Sequence, residues 1–98
     1  MSFTTQDMLD WALIQKGLSP GAKIGLIALA MKADESGDGK VKLGCLAKSI
    51  HCELLEALGY VAKLAGRRLI VFTYRDGHGE TAADDEIVYG LCIDMGGA

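Results

Sequence analysis

Residues 46–70 read LAKSIHCELLEALGYVAKLAGRRLI. Leu46 to Ile50 predicts a short helix, and His51, Cys52 and Glu53 interrupt it as a turn. From Leu54 to Ala65 a longer helix is expected, because Ala57, Tyr60, Val61 and Leu64 recur on one face at three- and four-residue steps. Beyond it, RRLIVFTYR has the β-branched and aromatic content of a strand. The stretch thus predicts short helix, turn, longer helix, strand.

Upstream, FTTQDMLDWALIQKG predicts a first helix. Thr4 is placed to cap it with Asp7 three residues on, Phe3 and Met8 sit where a hydrophobic staple forms, and Gly17 is a natural stop. Met8, Trp11, Ala12 and Gln15 share its inner face. In SPGAKIGLIALAMKAD, Ser19 is the N-cap and Pro20 takes the first helical position, where its missing N–H is no loss. Ile24, Leu26, Ile27, Leu29, Ala30 and Met31 surround this second helix almost completely, so it is expected to be the buried central helix. An Asp- and Gly-rich turn then leads to a short strand over 40–43. A final strand, EIVYGLCID, is joined to RRLIVFTYR by DGHGETAADD.

With 98 residues, half of them hydrophobic, the chain can build one core. Residues 1–98 are expected to form a single domain: an N-terminal helix over 1–17, paired helices over 43–66 and a β-hairpin over 69–93. The longest apolar run, Ile24 to Met31, is far short of the roughly 20 residues that span a bilayer, and MSFTTQD does not read as a secretory leader. A soluble, cytosolic protein is therefore expected. Cys45, Cys52 and Cys92 lack CxxC spacing and are expected to serve as small buried apolar residues. The net charge of −3 is the wrong sign for a chain that lives on phosphate backbones.

The element order, helix, helix, strand, helix, helix, strand, strand, comes with WALIQKGLSPGAKIGLIALAMKADESGDGKV and with Leu46-Ala47, Leu64 and Leu69-Ile70 in register. Over about residues 8–75 this resembles the winged helix-turn-helix domains of phage and plasmid replication initiators and related regulators. The resemblance implies an α+β fold with a C-terminal hairpin wing, and a recognition helix that reads DNA. In that family the turn before the recognition helix usually holds Gly, a small apolar residue and Ser, and the exposed face that follows carries Arg, Lys, Thr or Gln. Here those places hold His51, Cys52 and Glu53, then Leu54, Leu55, Glu56, Leu58, Gly59, Ala62 and Lys63.

Phosphate neutralisation supplies most non-specific DNA affinity, and base readout needs donors and acceptors on the inserted helix. Glu53 and Glu56 would repel phosphates, and Leu54, Leu55 and Leu58 offer base edges nothing polar. The plain reading of these leucines is core, and the sharper one is a contact surface. The connection before the last strand is acidic, with Asp76, Glu80, Asp84 and Asp85, which suits a solvated hairpin or a negative surface facing a basic partner.

Two functions are expected in order. The first is a non-enzymatic module of phage or mobile-element type that binds a protein partner or itself, through Glu53, Leu54, Leu55, Glu56 and Leu58 with Asp76, Glu80, Asp84 and Asp85 as a second element. Such a protein could inhibit a host nucleic-acid-binding defence protein. The alternative is a DNA-binding regulator or replication accessory factor using Lys40, Lys42, Lys48, Lys63, Arg67 and Arg68. From Lys32 to Arg68 seven cations face five acids, although the plain role of the last three cations is to meet a negative helix terminus. No cofactor, metal or small-molecule substrate is expected. DESGDG starts like a calcium loop but has Cys45 where the bidentate Glu belongs, and His51, Cys52 and Cys45 fit no zinc spacing. No nucleophile and base with a third orienting group can be assembled, and GHG around His78 does not precede a helix.

Overall fold

The computed structural model describes residues 3–75 and 82–93. These form a small α+β fold with α1 Thr5–Ile14, α2 Pro20–Lys32, β1 Asp38–Lys42, α3 Leu43–Ser49, α4 Leu54–Gly66, β2 Ile70–Arg75 and β3 Glu86–Leu91. Thr4 Oγ1 accepts the Asp7 N–H at 3.0 Å and Asp7 Oδ2 accepts the Thr4 N–H at 3.0 Å, which closes the expected capping box of α1. Ser19 Oγ accepts the Ala22 N–H at 3.3 Å and Pro20 opens α2. Asp34 Oδ1 accepts from Ser36 and Asp38 N–H, so its carboxylate folds the DESGDG turn while Gly37 supplies the left-handed residue at φ +83°.

The three strands are antiparallel in the order β1-β3-β2. Val41 pairs with Ile87 and Gly39 with Tyr89 across β1 and β3, and Phe72 pairs with Tyr89 across β2 and β3. Strand periodicity turns Val41, Ile70, Ile87 and Tyr89 into the core, where they meet Met8, Leu26, Leu29, Leu43, Leu46 and Leu64 from the helices. Tyr89 ties the layers together by donating its hydroxyl to the Leu29 carbonyl at 2.6 Å. Burial, and secondarily the Asp34 carboxylate, push its phenol well above the usual range.

Three expectations need correction. The second helix is not buried all round: Ala22, Gly25, Leu26, Leu29 and Ala30 face the core, but Ile24 is 48% and Met31 62% exposed. Its neighbours cover one side only. The strand expected at 40–43 lies at 38–42, and Leu43 is instead the buried first residue of α3. That helix starts early because the Leu43 N–H donates to the Asp85 carbonyl at 2.7 Å and the Gly44 N–H to the Ala83 carbonyl at 2.9 Å. The segment leading into β3 thus caps α3, whose N-cap residue Lys42 makes no side-chain bond. Finally, Cys45 and Cys92 are exposed rather than buried; on α3, Leu43, Leu46 and Ala47 already fill the inner face and leave Cys45 outside it.

Candidate functional site

The centre of interest is α4. At its start the Glu53 N–H donates to Glu56 Oε1 at 3.4 Å, and both carboxylates lie at the positive end of the helix. Ala57, Val61 and Leu64 are buried. Tyr60 packs on α2, so close to Gly21 that a β-carbon there would lie 2.3 Å from its ring Cζ. Leu54 and Leu58 are half-buried against the core, one step to the side of the Ala57–Val61 stripe. The contact surface expected from three leucines is therefore narrower, and Leu55, 70% exposed, is the one that projects. The rest of the outer face is Glu56, Gly59, Ala62, Lys63 and Gly66, all exposed. It holds one cation and little that could hydrogen-bond to a base edge.

The turn before α4 is a Schellman motif, a signature missed in the sequence because its usual glycine is replaced. The His51 N–H donates to the Lys48 carbonyl at 3.3 Å and the Cys52 N–H to the Ala47 carbonyl at 3.0 Å, with His51 at φ +54°. An open groove here is lined by Lys48, His51, Cys52, Glu53 and Glu56. Burial first, then the negative charges of Glu56 and Glu53, push the Cys52 thiol up. That environment keeps it protonated, which disfavours nucleophilic or metal-ligand roles.

The end of α4 repeats the motif: Arg68 sits at φ +61°, its N–H donates to Ala65 and the Leu69 N–H to Leu64. Arg67 is turned back onto the α1–α2 connection, where Nη2 donates to the Lys16 carbonyl at 3.0 Å and the guanidinium lies over Gly17. From the other side Lys23 Nζ donates to the Leu13 carbonyl at 2.6 Å and also to the Gln15 carbonyl. Arg67, expected as a nucleic-acid-binding cation in the alternative reading, stays exposed but is tied by this bond to the α1–α2 connection. Lys23, on the nearly apolar α2, gave no sequence signal for its part.

The remaining cations are spread over the fold. Lys40 and Lys42 project from the outer face of β1, Lys48 from α3 and Lys63 from α4, all exposed. Register places Lys42 and Arg75 on either side of Glu86, and Arg75 Nη1 lies 3.9 Å from Glu86 Oε1. Arg75 escaped the sequence reading because only the topology places it near Lys42. Of the acids expected to face a partner, Asp84 is exposed, whereas Asp85 is 4% exposed. Its Oδ2 accepts the Ala82 N–H at 2.8 Å and the Tyr74 hydroxyl, so Asp85 organises the approach to β3 and its contact role is withdrawn. Asp76, His78 and Glu80 lie outside the described residues. A second apolar surface runs along α2 through Ile24, Ile27, Ala28 and Met31 to Lys32 and Ser49; periodicity gives no sign of it, because apolar residues surround this helix.

Among the described residues no helix is long and apolar enough to cross a membrane, and no three His, Cys, Asp or Glu side chains are grouped to hold a metal ion. Comparison with protein-family models, curated proteins and solved structures finds no match.

Proposed function

We propose that this chain is a winged-helix-like, non-enzymatic binding module of phage or mobile-element type, acting in the bacterial cytoplasm, whose recognition helix has been turned from DNA to protein contact. The order of elements and the β1-β3-β2 sheet support the winged-helix reading, with α3 and α4 as the paired helices and β2 and β3 as the stem of the wing. The observation that carries the function is the outer face of α4. Leu55, Glu56, Gly59, Ala62, Lys63 and Gly66 present one projecting apolar side chain between charges.

Covering the exposed part of Leu55 contributes about 1–2 kcal/mol to an interface, whereas phosphate contact through a single cation adds little once Glu53 and Glu56 repel the same backbone. Of the acids in the connection before β3, Asp85 is internal and takes no part in this reading, while the exposed Asp84 stays available as its second, acidic element.

A second reading keeps DNA as the partner and moves the contact to the sheet. Lys40, Lys42 and Arg75 on one outer face favour it, with Glu86 between them as the opposing charge. Fluorescence anisotropy of a mixed-sequence duplex separates the two. Protein contact predicts no binding at low salt. Binding that weakens steeply with salt and is lost in Lys40→Glu/Lys42→Glu would establish the sheet-mediated mode.

A further inference from the structure

Helical geometry puts Leu55, Gly59, Ala62 and Gly66 along one line of α4, with Glu56 and Lys63 together on one flank of that line, about 10 Å apart along the axis. All six are exposed. The acid stands towards the N-terminal end and the base towards the C-terminal end, so the face is complementary to itself when two copies run antiparallel. A two-fold axis crossing α4 between Gly59 and Ala62 brings Glu56 of each copy beside Lys63 of the other, both pairs on the same side of the seam. Parallel copies would put the charged flanks on opposite sides.

Beside the charged flank, Gly59, Ala62 and Gly66 make the seam a row of small residues. Among the described residues a β-carbon at Gly59 or Gly66 would meet nothing within 4 Å, so no described neighbour demands either glycine, and each weakens the helix. Against a second α4 they allow close backbone approach and leave space for Leu55, which is 70% exposed in the single chain. We propose that the partner of α4 is a second copy of this chain, docked as an antiparallel α4–α4 pair. The proposal rests on reading α4 as a protein-contact face.

Sedimentation equilibrium of the intact chain over a wide concentration range tests it. A monomer–dimer equilibrium is expected, with the dissociation constant raised about tenfold by Leu55→Lys and similarly by Lys63→Glu, which sets like charges opposite Glu56. The exchange Glu56→Lys/Lys63→Glu restores pairing, because it inverts both partners of each contact. Gly59→Ala weakens the dimer while raising helix stability, an opposition that a folding defect cannot mimic; circular dichroism of each variant checks the fold. A chain that stays monomeric, or a dimer indifferent to Leu55→Lys and Lys63→Glu, overturns the proposal. Duplex DNA titrated into the same samples separates this from failure of the underlying reading. A monomer without DNA affinity overturns self-pairing alone, and a monomer whose DNA binding is lost with Lys63→Glu overturns protein contact by α4 as well.

Discussion

Tyr89 occupies the space that a side chain at Gly39 would fill: a β-carbon there would stand 2.5 Å from the Tyr89 hydroxyl oxygen and 2.6 Å from Cζ. The two residues pair across β1 and β3, and the same hydroxyl reaches the Leu29 carbonyl of α2. Tyr89 is only 3% exposed, so its ring has no open side to move into. Gly39→Ala should therefore strain the core and pull the hydroxyl off its acceptor, lowering stability by about 2–4 kcal/mol in denaturant unfolding. Tyr89→Phe, which removes the bond and keeps the ring, should cost about 1–2 kcal/mol. A Gly39→Ala protein as stable as the parent would show that the sheet and α2 are not joined through this ring.

The two left-handed residues that end α3 and α4 make the opposite prediction. His51 and Arg68 hold φ +54° and +61°, where a β-carbon is disfavoured and glycine is not. His51→Gly and Arg68→Gly should each stabilise the fold by about 0.5–1 kcal/mol, after allowing for the greater freedom of glycine in the unfolded chain. At this chain length that raises the melting temperature by several degrees. Gly37→Ala, at φ +83°, should lower it. If both glycine substitutions destabilised, the side chains of His51 and Arg68 would have to contribute more than the strain they impose.

Lys23 and Arg67 grip the α1–α2 connection from two helices, through the carbonyls of Leu13, Gln15 and Lys16. Lys23→Met keeps the aliphatic stem and removes the donors, so it should cost about 1 kcal/mol and speed amide hydrogen exchange in α1 more than in α4. Arg67→Ala should act in the same direction. Uniform acceleration in both helices would mean that the two cations support global stability and not this connection.

How far the fold can be read from the chain depends on the range of the interaction concerned. Thr4 with Asp7, and Ser19 with Pro20, are contacts within one turn, and they place the starts of α1 and α2 where the spacing predicts. The boundary between β1 and α3 is set by carbonyls of Ala83 and Asp85, about 40 positions away in the chain, and no local pattern carries it. Asp85 looked like surface because aspartate in an acidic connection normally is, and only the pairing of β3 brings Tyr74 to it. At the candidate site, the loss of cations on α4 was visible in its composition. The outward turn of Leu55 follows from the periodicity of α4 itself, since position 55 lies about 150° round the axis from the Ala57–Val61–Leu64 stripe, whereas the half-burial of Leu54 and Leu58 on the flank of that stripe depends on the elements packed beside them. His51 hid a Schellman turn for a simpler reason: the glycine that normally marks one is absent.

Cys52 and Tyr89 give the fold a limit at high pH. Both are held above their ordinary ionisation ranges: Cys52 by burial and then by Glu56 and Glu53, Tyr89 by burial and then by Asp34. In the unfolded chain Cys52 loses its proton near about pH 8.5 and Tyr89 near about pH 10, while the native state keeps both. The native state then binds more protons than the unfolded one, so stability must fall as pH rises. The contribution is complete below about pH 8 and declines through the alkaline range in two stages, the earlier from Cys52 and the later from Tyr89. Urea unfolding at a series of pH values should show Cys52→Ala flattening the first stage and Tyr89→Phe the second. Iodoacetamide at neutral pH should label the exposed Cys45 and Cys92 before Cys52. Stability unchanged up to about pH 10.5, or Cys52 labelled first, would mean that neither group is shielded as its surroundings require.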